Sequence, residues 1–143
     1  MKKCFLFILL VVGLMLSASS YAHKEKTALT KIKQEVEILR KDVIKQHTAQ
    51  QMFSRCITPL SMTIILLEKA EKDLQAAIDG KGLEDLTEMR RVSYDLSESI
   101  HQLMMAKLTR NCANADEIKQ ANQDIFDIFV ELSTWLKSNG VKS

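Results

Sequence analysis

The sequence predicts an all-α protein folded as an antiparallel four-helix bundle. In four successive segments, apolar residues recur three and four positions apart, which is the period of an amphipathic helix. The 143 residues include only 4 glycines and 1 proline. Glycine-rich phosphate-binding loops and turn-dense β-sandwiches need many positive-φ or helix-breaking residues, so this composition excludes both classes. Four helices with short connections most simply form an up-down-up-down bundle.

Residues 1–22 predict a secretory signal peptide. A cationic start at residues 1–3 precedes an apolar run at residues 4–16, and Ser20 and Ala22 are small residues suited to a cleavage site. We expect cleavage before His23. An uncleaved anchor is the alternative, but the apolar run is shorter than the roughly 20 residues that a membrane-spanning helix needs.

Cleavage would leave a single domain, residues 23–143, with a different charge and cysteine count. Two lysines leave with the signal peptide, so 18 basic residues balance 18 acidic ones and the net charge is zero. Cys4 also leaves, and Cys56 and Cys112 remain. An even pair of cysteines in an exported chain predicts a disulfide and a periplasmic or extracellular location.

The first predicted helix runs from about Lys26 to Cys56. Its apolar stripe consists of Leu29, Ile32, Val36, Leu39 and Val43. The same register continues through the amides Gln46 and Gln50, with His47 beside them. Buried amides are costly unless they are paired, so these polar residues either fix the helix register or line a small polar cleft.

Helix 2 is predicted to begin at Thr58 and Pro59, because threonine suits the N-cap and proline suits the first helical position. Its expected core residues are Leu60, Ile64, Leu67, Ala70, Leu74 and Ile78. The glycine pair at residues 79–82 predicts a turn. Helix 3 follows, with expected core residues Leu83, Leu86, Met89, Leu96, Ile100, Leu103, Met104 and Leu108.

Helix 4 is predicted to begin after Asn114, which with Glu117 matches the spacing of a capping box. Its expected core residues are Ile118, Ala121, Ile125, Ile128, Leu132 and Trp135, and Phe126, Phe129 and Val130 are expected to widen that face. The helix should end at Asn139 and Gly140.

The cysteine positions agree with this topology. An up-down bundle places the helix 1–2 and helix 3–4 connections at the same end, so Cys56 and Cys112 should be neighbours. Their disulfide would stabilise the fold by about 4 kcal/mol in the chain-entropy model. Two free, redox-active thiols are the alternative, although the sequence has no Cys-x-x-Cys motif.

The predicted helix lengths suggest a partner. A helix from Lys26 to Cys56 would be about 46 Å long, whereas helix 2 would be about 30 Å long. The first turns of helix 1 would then expose the stripe of Leu29, Ile32 and Val36, and we expect a homodimer through that stripe. In the alternative, helix 1 breaks and its first part folds back.

A basic arm, residues 23–47, includes Lys31, Lys33 and Arg40 and carries seven basic and four acidic residues. It predicts contact with an acidic protein or an anionic membrane surface, unless its charges only keep the helix soluble. Nucleic acid is not expected, because no basic helix with interleaved aromatic residues is present.

The sequence predicts no catalytic, metal or cofactor site. Glu98 and His101 match one Glu-x-x-His motif, and His101 with Met104 offers ligands for copper(I). A haem bound by Met52 and His101 has no attachment motif in the sequence. A single Glu-x-x-His motif is half of a di-iron set, so surface and core roles are favoured for these residues.

We therefore expect a small exported binding protein that acts through its helix surfaces on a protein partner or a membrane surface. It would serve as a periplasmic accessory protein or as a secreted, effector-like protein. The alternatives are a periplasmic copper or haem carrier and an enzyme of unrecognised type.

Overall fold

The computed structural model describes residues 26–52, 54–81, 86–108 and 112–140. These residues form four helices and no strand, which confirms the predicted fold class. Helix α1 covers residues 26–48, α2 covers Ile57–Ala76, α3 covers Leu86–Leu108 and α4 covers Ala115–Ser138. The predicted signal peptide lies outside the described residues. No described helix is both long and apolar enough to cross a membrane.

Side-chain contacts at different positions along the bundle axis show that α1 runs antiparallel to its neighbours α2 and α4. Arg40 in the middle of α1 pairs with Glu71 late in α2, whereas His47 near the end of α1 pairs with Ser61 early in α2. Lys31 at the start of α1 likewise meets Glu131 late in α4. Helix α3 packs against α2 and α4, which completes the bundle.

Helix α1 ends at residue 48, so the prediction that it continues to Cys56 was wrong. In the following segment, the backbone N–H groups of Gln50, Ser54 and Ile57 donate to carbonyls three residues earlier, as in successive turns. The amide group of Gln50 bonds to two backbone carbonyls instead of lying along a continuing helix. Polar side chains that compete for backbone groups favour such helix ends.

The connections between the other helices lie close to their predicted positions, but the capping of the helices differs from the prediction. Helix α2 begins at Ile57 with Cys56 as its N-cap, so the prediction of Thr58 as N-cap was wrong. Pro59 still lies in the first turn, where a missing N–H costs little. Asn114 is the N-cap of α4 as predicted, but it adopts a left-handed conformation and its side chain makes no capping bond. Gly80 has φ 97° in the π-helical turn Ala77–Lys81, where a left-handed residue ends the helix.

The core includes most residues of the predicted stripes of all four helices, but Ile64, Ile78 and Ile100 are only partly buried, and Val92 and Ala106 are buried without having been predicted. Helix α1 contributes the buried residues Leu29, Ile32, Val36, Leu39 and Val43. The predicted residues Met104, Phe126 and Val130 are instead about half exposed, and Phe129 is partly buried. The predicted positions Leu83, Leu86 and Leu108 lie outside the described residues or side chains.

Burial of the α1 stripe removes the basis of the predicted dimer surface. Leu29, Ile32 and Val36 are at most 2% exposed within the monomer. Because α1 ends at residue 48, its length is close to that of α2, and no apolar turns of its described part project beyond the bundle. The homodimer remains a prediction, but these three buried residues no longer provide an interface for it.

The predicted disulfide between Cys56 and Cys112 is confirmed, with a Cα–Cα distance of 5.7 Å. It joins residues 56 positions apart in the sequence and ties the α1–α2 connection to the α3–α4 connection. A loop of this length gives the stabilisation of about 4 kcal/mol expected from chain entropy.

Candidate binding groove between α1 and α4

The basic arm predicted from the sequence is largely engaged in ion pairs within the protein. Lys31 Nζ lies 2.8 Å from Glu131 Oε1, and Arg40 Nε lies 2.9 Å from Glu71 Oε2. The hydrogen bond from Lys31 to Glu131, with the negative charge nearby, raises the pKa of Lys31 above its ordinary value. Lys33 is half-buried. The described part of the arm is therefore not an open cationic surface.

The same pairing continues between neighbouring turns of α1. Lys41 Nζ lies 2.7 Å from Glu37 Oε1, and Lys45 Nζ lies 3.0 Å from Asp42 Oδ1. The hydrogen bond from Lys41 lowers the pKa of Glu37 below its ordinary value. These exposed pairs contribute little to stability, but they reduce the positive charge that α1 presents.

The structure places Gln46, His47 and Gln50 at the disulfide end of the bundle. His47 Nε2 and Ser61 Oγ are hydrogen-bonded at 2.9 Å, which joins α1 to α2. The Gln50 side chain donates to the carbonyl of Ala113 at 2.9 Å and accepts from its N–H at 3.0 Å. The His47 contact fits the predicted role in helix register, whereas Gln50 lies beyond the end of α1 and ties the α1–α2 connection to the α3–α4 connection. Gln46 Oε1 is buried without a hydrogen-bond partner among the described residues.

The candidate metal ligands are not brought together with further ligands. Glu98 accepts a hydrogen bond from Gln102, while His101 is exposed and Met104 is 48% exposed. Met52, the other haem candidate, is 85% exposed. Within the described ranges, no group of three or more His, Cys, Asp or Glu side chains is placed to hold a metal ion.

An ion pair between α2 and α3 joins the exposed Lys69 to the buried Asp95, and the sequence analysis did not predict it. Asp95 is only 1% exposed, and its Oδ1 lies 3.0 Å from Lys69 Nζ. Ser99, also buried, donates to the backbone carbonyl of Asp95. The sequence did contain an indication that Asp95 is buried. Asp95 comes three residues after Val92 and directly before Leu96, which places it on the buried side of α3.

A groove runs along the surface between α1 and α4, with a volume of about 310 Å³. Leu39 and Ile128 lie among its lining residues as buried core positions, and Ile38 is 61% exposed. The other lining residues are five carboxylates: Glu35 and Asp42 on α1, and Asp124, Asp127 and Glu131 on α4. The α1/α4 groove, defined by these eight residues, thus has a buried apolar base and a carboxylate-bearing edge on each helix, with Ile38 exposed on the α1 edge.

Helical spacing explains why these side chains share a groove. Positions 35, 38 and 42 are three and four residues apart on α1, so they lie along one edge of that helix. Positions 124, 127 and 131 repeat the spacing on α4, which runs antiparallel to α1. Packing the two edges side by side therefore aligns both acidic rows.

The carboxylates of the groove have unequal partners. Lys31 crosses the groove at the end far from the disulfide, within 2.8 Å of Glu131 and 3.4 Å of Glu35. Among the described residues, Asp124 and Asp127 accept hydrogen bonds only from the neutral amides of Gln120 and Gln123 on their own helix. Negative charge is consequently least compensated toward the disulfide end of the α4 row.

A second cleft, between α3 and α4, is larger but has no dominant charge. Its volume is about 690 Å³, and its lining includes the half-exposed side chains of Met104 and Phe126. Lys107, Lys119 and Asp116 also line it. Because charges of both signs are present, this cleft does not select for a ligand class as clearly as the α1/α4 groove does.

No family model matches this chain, and neither the curated proteins nor the solved structures contain a significant match.

Proposed function

We propose that this protein is a small exported binding protein without catalytic activity, which captures a polypeptide partner in the α1/α4 groove. One observation carries the proposal: an exposed apolar side chain, Ile38, lies in a groove with apolar residues beneath it and carboxylates on both sides. Such an apolar base with a polar rim resembles the grooves in which proteins hold amphipathic helices.

The acidic rows support a binding role because they cost stability. Like charges that face each other across a helix interface repel, and one crossing lysine offsets only part of this repulsion. Arrangements that lower stability without an internal gain are typical of functional sites. A partner that supplies positive charge would relieve the repulsion on binding.

Export is part of the proposal and rests on separate observations. Residues 1–22 have the three parts of a signal peptide, and the Cys56–Cys112 disulfide fits an oxidising compartment. The protein would then work in the periplasm or outside the cell. Between the two partner classes expected for its helix surfaces, the groove favours a protein over an anionic membrane, because its lining is acidic.

Photo-crosslinking from inside the groove tests the proposal. The photoreactive residue p-benzoylphenylalanine replaces Ile38 in one variant and Ile65 in a control variant, since Ile65 is similarly exposed, at 57%, but lies on α2. We expect the probe at position 38 to form an adduct with one identifiable polypeptide in the native compartment, and the probe at position 65 not to form it.

Three results would contradict the proposal. Equal adducts from both positions would show nonspecific contact, and lipid adducts from position 38 would identify a membrane surface instead. An adduct of twice the chain mass would show that the groove holds a second copy of this protein.

A further inference from the structure

We infer that the α1/α4 groove selects a cationic amphipathic helix, with lysine or arginine residues one turn apart beside its apolar anchors. This inference rests on the proposed function, since it names the chemical class of the polypeptide that the groove would bind. Three features of the groove carry it: its charge, its internal lysine and the spacing of its carboxylates.

Every charged residue lining the groove is acidic. The described lysines near it, Lys31 and Lys45, pair with Glu35, Glu131 and Asp42. The remaining two carboxylates, Asp124 and Asp127, form no ion pair within the described part of the chain. A neutral or anionic peptide would leave this charge uncompensated and partly desolvated, whereas a cationic one would neutralise it.

Lys31 shows that the groove can hold an ammonium group between its two helices. Its Nζ contacts one carboxylate on each helix, Glu131 at 2.8 Å and Glu35 at 3.4 Å. At the other end, the described residues include Lys45, which pairs with Asp42 on its own helix and forms no ion pair with Asp124 or Asp127. The position near Asp124 and Asp127 is therefore where a lysine or arginine of the partner would bind, with Lys31 occupying the equivalent position at the far end.

The spacing along α4 specifies the pattern in the partner. Asp124 and Asp127 are three residues apart, one helical turn or about 4.5 Å along the axis. Basic residues at positions i and i+3 of a helix lying along the groove would match this distance. Apolar residues on the adjoining face of that helix would then contact Ile38, Leu39 and Ile128.

Fluorescence anisotropy with designed peptides tests the inference on the disulfide-bonded protein. The probe is a fluorescein-labelled 18-residue helix of leucine and lysine with lysines flanking one apolar stripe. One comparison peptide replaces lysine with glutamate, and another scrambles the leucine–lysine order. We expect the cationic amphipathic peptide to bind at least about tenfold more tightly than either comparison, and its affinity to fall as salt rises.

Matched variants locate the binding. Asp124→Asn with Asp127→Asn removes two charges from the groove, and we expect about fivefold weaker binding of the cationic peptide. The control, Asp79→Asn with Glu68→Gln, removes the same charge from α2 and the following turn. Asp79 is a close match for Asp124. It accepts a hydrogen bond from the side-chain amide of Gln75, four residues earlier, as Asp124 does from Gln120. We expect less than a twofold change for the control.

The outcomes separate this inference from the proposed function. Equal affinity for the cationic and glutamate peptides, or equal weakening by groove and control variants, would overturn the inference. If the position 38 probe still captures a single polypeptide in that case, the proposed function stands with a different partner chemistry. If position 38 captures no polypeptide while the cationic peptide binds and depends on Asp124 and Asp127, the groove chemistry stands and the proposed function fails.

Discussion

Substitution of Lys69 by methionine should destabilise the protein more than any other single change on the exposed surface of α2. Asp95 is 1% exposed, its Oδ1 lies 3.0 Å from Lys69 Nζ, and its Oδ2 has no hydrogen-bond partner among the described residues. Lys69→Met would leave the buried carboxylate without a compensating charge. Breaking a fully buried pair costs about 3–5 kcal/mol.

The expected loss for Lys69→Met is smaller than for a fully buried pair, because the Lys69 side chain is 54% exposed. Water already reaches the ammonium group, so we expect a loss of about 2 kcal/mol in the free energy of unfolding. Urea unfolding followed by circular dichroism at pH 7 measures this loss, and the unfolding slope should not change. Lys72→Met, an exposed lysine one turn further along α2, should stay within about 0.5 kcal/mol of the unmodified protein.

A double variant isolates the contribution of charge. Lys69→Met with Asp95→Leu removes both partners, and replacement of a buried pair by apolar residues is often close to neutral, so most of the lost stability should return. If Lys69→Met and Lys72→Met cost the same, Asp95 does not depend on Lys69 for compensation and the reasoning is refuted. Because the pair joins α2 and α3, peptide binding in the α1/α4 groove should be unaffected while the protein remains folded.

Four further predictions follow from the fold and the sequence. Replacing both Cys56 and Cys112 with serine should lower the free energy of unfolding by about 4 kcal/mol, measured by urea unfolding; a loss below about 1 kcal/mol would contradict the chain-entropy argument. Gln50→Ala removes two hydrogen bonds to one backbone unit at the disulfide end and should cost about 1–2 kcal/mol by the same assay, so an unchanged midpoint would count against that contact. The raised pKa of Lys31 means that its ion pairs stabilise the fold below the ordinary lysine pKa of 10.5 and that this contribution is lost as pH rises through the raised value. An NMR titration of Lys31 with a midpoint at or below 10.5 would contradict the upward direction of this pKa shift. Mass spectrometry of the exported protein should find a chain that begins at His23, and an intact residue 1 would rule out cleavage.

Periodicity predicted the core well because the helices are strongly amphipathic. The α1 stripe from Leu29 to Val43 and the α4 stripe from Ile118 to Trp135 are buried as expected. A residue's position on a helix depends only on local geometry, so the sequence is sufficient to place it on the inner face. The pairing of Cys56 with Cys112 followed from the up-down topology in the same way.

The end of α1 was harder to predict because it depends on distant partners. The apolar and amide positions keep a helical register through Gln50, yet the helix ends at residue 48. Gln50 bonds to Ala113, which is 63 positions away in the sequence, and this contact exists only once α4 has packed. The error in helix length led in turn to the expectation that Leu29, Ile32 and Val36 were exposed.

The charge analysis did not predict the acidic groove, for a related reason. Counted along the sequence, residues 23–47 have a basic excess. In the structure, Lys31, Lys41 and Lys45 pair with carboxylates, while Glu35 and Asp42 lie on the edge that faces α4. The net charge of a segment combines all faces of a helix, whereas a partner contacts only one of those faces.

The number of helices, their buried faces and the cysteine pair could be predicted from the sequence, because each follows from local periodicity or from topology. Which charges meet depends on how the helices pack. Glu35 and Glu131 are far apart in the chain, and they share a groove only because α1 and α4 pack side by side in antiparallel directions. A chain that is neutral overall after the predicted cleavage thus acquires an acidic, apolar groove through the geometry of helix packing.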